Sequence, residues 1–310
     1  MTKLNPVLIA GPTASGKSAF ALALAERLDG TVINADAMQV YRELRVLTAR
    51  PSDEDERRAP HRLYGHVPGG EAYSAARYAD EARDAISQVQ GAGRIPIIVG
   101  GTGLYFKALI EGLSPMPAIP EEIRARWRQA AADEGPAALH RILAERDPEM
   151  AARLRPSDPQ RLTRALEVLE ATGRSLAVWQ TLPGEPVVAV QDGHAIVVAP
   201  DREEMRRRTD ARFDGMMAAG AADEVKALLQ LGLDADLPVM RALGVKPLSN
   251  FVTGRISAEE AAEIAKAETR QYAKRQMTWL RRNMIAWKWT SRKEMESLAA
   301  ETCDIIQSTP

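Results

Sequence analysis

A glycine-rich loop near the N-terminus carries the side chains most suited to phosphate chemistry. It lies between an apolar run at residues 7–10 and a stretch of strong helix formers at residues 19–25, the strand–loop–helix setting of a P-loop. Its glycines let successive backbone N–H groups face one phosphate, while Lys17 could reach the outer phosphate and Ser18 could hold a magnesium ion. We therefore predict a phosphate-binding loop made of Gly11, Pro12, Thr13, Ala14, Ser15, Gly16, Lys17 and Ser18.

Two further segments each follow a strand-like apolar run, which places them at the same edge of a parallel sheet. Asp36 ends the run 31–35, and the turn at residues 100–105, which contains Thr102, follows the run 94–99. Because ligands of open α/β sheets lie beyond the carboxyl ends of the strands, we expect Asp36 to lie near the phosphate site. The glycines around Thr102 suit close approach of a ligand. A solvated acid and a simple tight turn are the alternatives at these two positions.

A helix predicted after the apolar run 194–199 carries arginines at residues 206–208 and at Arg212, again beyond the carboxyl end of a strand. These side chains lie on more than one helical face, so only one or two of them could neutralise a diphosphate. On the same helix we interpret Phe213 and Met216 as core residues rather than binding residues.

Composition excludes several classes of protein. The chain has 310 residues, of which 45% are apolar, enough for one large domain or two modest ones. A net charge of −1 argues against a protein that coats nucleic acid over its whole surface. Cys303 is the single cysteine, which excludes an internal disulfide and a cysteine-based zinc site. With no signal peptide and no apolar run of membrane-spanning length, we expect a soluble, cytoplasmic protein.

The order of the predicted elements indicates an α/β fold with an insertion. Strands and helices alternate up to about residue 113, prolines interrupt the pattern at residues 114–120, and the chain is then helical from 121 to about 180. We predict a P-loop NTPase-like parallel sheet with flanking helices, built from residues 1–113 and 193–310, and an inserted all-helical domain at 114–192. The charged run 53–58 is interpreted as a mobile, solvated segment.

Two groups of cations could bind a polyanion larger than a diphosphate. The helix predicted to start at residues 158–164 carries Gln160, Arg161 and Arg164, which could contact a phosphate backbone or a base edge. Residues 266–293 contain nine Lys or Arg against one acid, a local charge of +8. We interpret this run as a basic helix that binds RNA. A solvated helix surface is the alternative for both groups.

Five motifs occur together and in order, at residues 11–18, 36–41, 100–106, 158–167 and 274–281. In this combination the chain resembles the bacterial tRNA dimethylallyltransferases, also called tRNA isopentenyltransferases, over nearly its full length. The resemblance implies transfer of a dimethylallyl group from dimethylallyl diphosphate to N6 of the adenosine that follows the anticodon. That nucleoside is position 37 of tRNAs reading codons that begin with U, and the product is N6-dimethylallyladenosine.

The resemblance also implies roles for individual residues. Asp36 matches the general base, Thr13 and Arg212 match groups that contact the diphosphate, and Ser18 matches a ligand of Mg²⁺. The partners implied are tRNA and dimethylallyl diphosphate, with no membrane and no protein partner, so that we expect a monomer; whether the P-loop also binds ATP stays open. The positions that match tRNA contacts are Asp36, Ala37, Met38, Gln39, Thr102, Arg124, Gln160, Arg161, Leu162, Thr163, Arg164, Lys274 and Arg275.

Three positions depart from the pattern of that family. Ala37 stands where Ser is usual, Arg50 replaces a Lys, and Val245 stands where an aromatic residue is usual. We expect these changes to leave catalysis intact. Two other functions remain as alternatives: a nucleotide-dependent kinase of small substrates, to which the inserted domain would be surplus, and a non-enzymatic RNA-binding protein, against which Lys17 and Asp36 argue.

Overall fold

The computed structural model describes residues 4–190, 194–291 and 294–308, and the chain divides into two compact units. The α/β unit comprises Met1–Ile110 and Val187–Pro310, and the helical unit comprises Glu111–Pro186. The predicted insertion began at residue 114, three positions later, and its predicted end at 192 lies outside the described residues.

The α/β unit is built on a six-stranded parallel sheet, which confirms the predicted fold class. Its spatial order is β3-β2-β4-β1-β5-β6. All residues of β1, β2, β4 and β5 are buried, as expected for apolar runs covered by helices on both faces. The strands are β1 (Val7–Ala10), β2 (Gly30–Ala35), β3 (His61–Arg62), β4 (Ile95–Gly100), β5 (Ala195–Val198) and β6 (Lys288–Thr290).

Helices lie on both faces of this sheet and form the whole of the helical unit's core. A short 3₁₀ helix, Pro238–Arg241, connects two of them. The α-helices are α1 (Lys17–Arg27), α2 (Asp53–Arg58), α3 (Ala75–Gly91), α4 (Gly103–Ile110), α5 (Glu121–Arg146), α6 (Pro148–Arg153), α7 (Pro159–Thr172), α8 (Leu176–Trp179), α9 (Arg202–Ala218), α10 (Ala221–Gln230), α11 (Val245–Val252), α12 (Ala258–Asn283) and α13 (Met295–Ser308).

Side-chain alternation along the strands divides the core of the α/β unit into two layers. Leu8 points to the face covered by α3, α4 and α12, whereas Val7 and Ile9 point to the face covered by α1 and α13. A third apolar cluster joins the loop after β2 to helices α9–α12 and includes Tyr41 and Phe213. This third cluster fixes the loop after β2 against α9.

The helical unit has its own core, in which α5 packs against α7 through Leu139, Leu143 and Leu166. Helix α5 is kinked at Gly135, whose φ of 77° and ψ of 170° are not helical, and Pro136 follows it. Helix α7 begins at Pro159, with the Asp158 carboxylate accepting from the backbone N–H of Arg161. Both breaks coincide with residues that interrupt or begin helices, Gly135-Pro136 and Asp158-Pro159.

Two segments differ from their predicted structures. Residues 53–58 form helix α2, which a reciprocal capping box between Ser52 and Asp55 stabilises although none of its residues is buried. The predicted basic helix does not continue to 293: α12 ends at Asn283, and the chain then joins the sheet as β6 because Trp287 is buried in the core. Residues 292–293 lie outside the described part. Among the described residues, no helix is both long and apolar enough to span a membrane.

The end of β4 approaches β2 so closely that no side chain fits between them. A Cβ atom added at Gly100 would lie 2.0 Å from the carbonyl oxygen of Ala35, its register partner on β2. Because the contact is with backbone, the strand itself would have to move.

We therefore expect Gly100→Ala to lower the free energy of unfolding by about 2–3 kcal/mol, the scale of overpacking in a rigid core. The control is Gly215→Ala in α9, where a Cβ would meet no atom within 4 Å. That change should raise stability by about 0.5–1 kcal/mol, since alanine favours helix. Denaturant unfolding measures both, and equal stability of Gly100→Ala and the unchanged protein would contradict the close approach.

Candidate active site

A cavity of about 340 Å³ opens where β1, β2 and β4 end side by side. The phosphate-binding loop, the loop after β2 and the turn after β4 contribute to its wall, and α9 and α12 contribute the rest. The structure therefore brings together residues that the sequence placed in five separate segments. The predicted site residues that line the cavity are Thr13, Lys17, Ser18, Asp36, Ala37, Met38, Gln39, Thr102, Arg212 and Arg275.

The phosphate-binding loop is a compact turn that leads into α1. Ala14 and Gly16 adopt left-handed conformations, with φ of 61° and 97°, and the N–H of Ser15 donates to the carbonyl of Pro12 at 3.3 Å. Helix α1 begins at Lys17, so its N-terminal N–H groups and the positive end of its dipole lie at this loop. The Lys17 ammonium donates to the same Pro12 carbonyl at 3.2 Å. The loop can thus receive an anion.

Two cations lie at this end of the cavity: Lys17 is buried and Arg212 is half-buried. Burial lowers the pKa of Lys17 to about 8, with Asp36 acting in the opposite direction and Arg212 in the same direction. Burial also lowers the pKa of Arg212, and nearby Asp36 raises it. Arg212 donates to the Thr13 hydroxyl at 3.3 Å, which places it beside the phosphate-binding loop. One carboxylate thus balances two cations, which leaves a positive site for an anionic ligand.

Asp36 is held at the end of β2 by its neighbours. Asn34, which is fully buried, accepts from the Asp36 N–H at 2.8 Å and donates to the Asp36 carbonyl at 3.0 Å. One carboxylate oxygen of Asp36 accepts from the N–H of Met38 at 2.9 Å. The Thr102 hydroxyl accepts from the N–H of Ala37 at 2.9 Å, which ties the loop after β2 to the turn after β4. The carboxylate is therefore fixed in direction before any ligand binds.

Gln39 contacts its own loop as well as lining the cavity. Its side-chain amide donates to the carbonyls of Thr48 and Ala49, at 2.9 and 2.8 Å. Of the family departures, only Ala37 lines the cavity: the Arg50 guanidinium packs on Gly65 and donates to a backbone carbonyl, and Val245 is buried in the core. Their positions explain why these two departures leave the cavity wall unaltered.

Several residues of the site could not be identified from the sequence alone. Tyr272 lines the cavity, with the Arg275 guanidinium 5.7 Å from its ring centre, and burial raises its pKa so that it is a neutral phenol. Gln276 is buried behind the loops and hydrogen-bonds two of them. Phe213 and Met216 belong to the core as predicted, and the structure shows in addition that both line the cavity.

The helical unit exposes some of the predicted RNA contacts and buries others. Gln160 and Arg161 are exposed at the start of α7, and Arg164 is partly exposed and lies 3.4 Å from Glu167. Leu162, by contrast, is 0% exposed because it faces the core that α5 and α7 share, and the neighbouring Thr163 is also buried. Burial therefore argues against tRNA contacts by these two side chains, and a contact through their backbone stays a prediction. Arg124 is partly exposed on α5.

The cations of α12 divide into paired and unpaired groups. Lys266 and Arg270 form ion pairs with Asp214 and Asp210 of α9, at 2.7 and 2.6 Å, and so serve packing of the two helices. A second group has exposed side chains and forms no ion pair within the described part of the chain. Its members are Lys274, Arg275, Arg281 and Arg282.

Comparison with known proteins finds similarity to tRNA dimethylallyltransferases along nearly the whole chain. The family model described as IPP transferase matches residues 39–283, and the model described as isopentenyl transferase matches residues 4–70. A tRNA dimethylallyltransferase of Parvibaculum lavamentivorans is 54% identical over 300 residues, covering 97% of this chain and 95% of the relative. One of Methylocella silvestris is 54% identical over 299 residues, covering 96% and 98%.

Solved structures extend this similarity to the fold. The full-length tRNA isopentenylpyrophosphate transferase from Bacillus halodurans has a TM-score of 0.69 and 31% identity, and the match covers 98% of both chains. A eukaryotic dimethylallyltransferase acting on tRNA has a TM-score of 0.79 and 25% identity, over 99% of this chain and 80% of that one. Because the IPP transferase model matches residues 39–283 and the relatives are 54% identical over nearly the full chain, the chain belongs to the IPP transferase family.

Proposed function

We propose that this protein transfers the dimethylallyl group of dimethylallyl diphosphate to N6 of the adenosine at position 37 of tRNAs that read codons beginning with U. The observation that carries the proposal is the content of one cavity: the buried Lys17 and the half-buried Arg212 beside a phosphate-binding loop, with the fixed carboxylate of Asp36 near them. Membership of a family whose relatives are named tRNA dimethylallyltransferases supports the same reaction.

The cations act on the leaving group. As the bond between the allylic carbon and the diphosphate oxygen breaks, negative charge grows on the diphosphate, and Lys17, Arg212 and the N–H groups of the loop stabilise it. The apolar side chains of Leu47, Phe213 and Met216 line the same cavity and suit the five-carbon chain.

Mg²⁺ fits this site only when phosphate oxygens of the substrate supply some of its ligands. The Ser18 hydroxyl is exposed to the cavity, but the described residues contain no cluster of three or more His, Cys, Asp or Glu arranged around a metal. Such a donor set suits Mg²⁺, which binds one or two protein oxygens and completes its shell with phosphate oxygens and water. When bound, the ion would supply further charge neutralisation to the leaving diphosphate.

Asp36 acts on the nucleophile. The lone pair of the adenine amine is delocalised into the ring, so a base must remove a proton as the new bond between N6 and the allylic carbon forms. The carboxylate of Asp36 lines the cavity and can accept that proton, while the electron pair of the broken carbon–oxygen bond leaves with the diphosphate. The adenosine must leave its stack to reach this position.

The RNA backbone is assigned mainly to surfaces outside the cavity, with Arg275 as the one unpaired cation of the described part of α12 that also lines the cavity. The unpaired cations of α12, together with Arg161 and Arg164 of the helical unit, are suited to phosphate contacts, which fix the RNA without reading its sequence. Incubation with dimethylallyl diphosphate, Mg²⁺ and an anticodon stem-loop RNA, followed by mass analysis, tests the whole proposal. A gain of one dimethylallyl group on the adenosine supports it, and unchanged RNA contradicts it.

Removing the proposed base should separate catalysis from binding. Asp36→Asn keeps the size of the side chain but cannot accept the N6 proton, so single-turnover transfer should slow by about two to four orders of magnitude. Binding of both substrates should persist. Asp84→Asn, an exposed acid of α3, is the matched control and should keep normal turnover. Near-normal transfer by Asp36→Asn would mean that another group is the base.

Affinity for the diphosphate substrate should fall at high pH. The pKa of Lys17 is about 8 in the free protein, and a bound anion raises it. Below about pH 8 Lys17 is therefore already charged when the ligand arrives. Above about pH 8 the ligand must bind together with a proton on Lys17. The dissociation constant should therefore rise above that pH, by at most about tenfold per pH unit. Calorimetric titration with the RNA omitted measures it. Lys17→Met should bind weakly with the pH dependence of the ligand alone; an equal pH dependence in both proteins would exclude Lys17 as its source.

Neutralising the exposed cations should weaken RNA binding and its salt dependence. Lys274→Gln with Arg281→Gln, or Arg161→Gln with Arg164→Gln, should reduce the log–log salt slope by roughly 0.7–0.9 for each lost phosphate contact. Turnover at saturating RNA should change far less than in Asp36→Asn, since these contacts exist before and during the chemical step. Binding titrations at several salt concentrations measure the slope.

The control for this series is Arg57→Gln with Arg83→Gln, which removes two exposed arginines of α2 and α3. It should leave the salt slope unchanged. A slope that stays constant in both test variants would show that these cations form only a solvated surface.

A further inference from the structure

We propose that Gln276 is a positioning residue that sets the distance between the leaving group and the nucleophile. The inference rests on the proposed transfer reaction and adds a requirement to it. Gln276 belongs to α12 and is 6% exposed, and it is not among the described residues that line the cavity. Any effect it has on the reaction must therefore pass through the groups that it contacts.

The two ends of the Gln276 amide bind two different loops. Its oxygen accepts from the backbone N–H of Thr13 in the phosphate-binding loop at 2.9 Å. Its nitrogen donates to the carbonyl of Gly101, in the turn after β4, at 2.8 Å. These partners are 263 and 175 positions away in the sequence, so one side chain of α12 joins two separate strand ends.

Each of these loops leads directly to a reacting group. On one side, the Thr13 hydroxyl accepts from Arg212 at 3.3 Å, within the proposed diphosphate site. On the other side, Gly101 is followed by Thr102, whose hydroxyl accepts from the N–H of Ala37 at 2.9 Å, next to the proposed base. Gln276 therefore lies at the centre of a continuous hydrogen-bonded path from the leaving-group side of the cavity to the nucleophile side.

The chemistry of the position requires a neutral amide. Thr13 offers a donor and Gly101 offers an acceptor, and an amide is a side chain that satisfies both at once. A leucine of similar size would leave both backbone groups unpaired and buried. The amide also packs directly on Gly101, where an added Cβ would lie 2.3 Å from the Gln276 nitrogen, so the two loops have no room to settle closer.

Loss of this contact should act on the chemical step more than on binding. Displacement at carbon needs the nucleophile, carbon and leaving oxygen aligned, and a shift of about 1 Å can cost about a hundredfold in rate. Each substrate still finds its own loop in the variant, so its affinity changes little. Gln276→Leu should thus lower kcat by about 10–100-fold, with less than about a threefold change in the dissociation constant of either substrate.

A second variant gives a readout that general loss of structure would not produce. In Gln276→Glu, the protonated carboxyl can donate to Gly101 and accept from Thr13 as the amide does, whereas the carboxylate cannot donate. Burial raises the pKa of such a carboxyl. Activity relative to the unchanged protein should therefore rise as the pH is lowered. Gln88→Leu, at an exposed glutamine of α3, is the control and should match the unchanged protein at every pH.

The outcomes separate this inference from the proposed function. If the unchanged protein modifies no RNA, the proposed transfer itself fails. If it is active and Gln276→Leu keeps its kcat, or weakens binding as much as it lowers kcat, the positioning role is overturned. Should Gln276→Leu not fold, Gln276→Glu decides alone: recovery at low pH supports the role, and a ratio constant with pH overturns it.

Discussion

The candidate site depends on the parallel pairing of β2, β4 and β1, which end side by side at one edge of the sheet. This pairing is so close at Gly100 that the backbone of β2 leaves no space for a Cβ. The three segments that follow these strands supply the phosphate-binding loop, Asp36 and Thr102. Because the strands are rigid and buried, the groups are held in place before a ligand arrives, which is the condition for electrostatic catalysis.

The side chains at these strand ends carry an excess of positive charge that suits an anionic ligand. Lys17 is buried and Arg212 is half-buried, and removal from water lowers the pKa of each, so the free site holds its cations at a cost. Asp36 offsets part of that cost. A diphosphate would offset the remainder, and its departure as product would restore the free state. In the proposed reaction, the cations that bind the diphosphate would also stabilise the charge that grows on it during transfer.

Sequence patterns predicted the site residues that directly follow strand-like runs. They missed the site residues that only tertiary packing brings to the site. Lys17, Asp36 and Thr102 could be placed because each follows an apolar run whose direction in a parallel sheet is known. Gln276 could not, since its partners lie far away in the chain and only α12 packing brings them together. The burial of Leu162 was not foreseen because a matching motif does not show which face of α7 is buried, and β6 was missed because its few residues carry no strand periodicity.

The central claim is that one cavity holds the diphosphate and the adenosine on opposite sides of the reacting carbon. A structure of the protein with an unreactive analogue of dimethylallyl diphosphate and an anticodon stem-loop RNA tests it most directly. We expect the diphosphate between Lys17 and Arg212, and the adenosine N6 about 3 Å from the Asp36 carboxylate. An adenine bound outside the cavity, or a diphosphate away from the phosphate-binding loop, would contradict it.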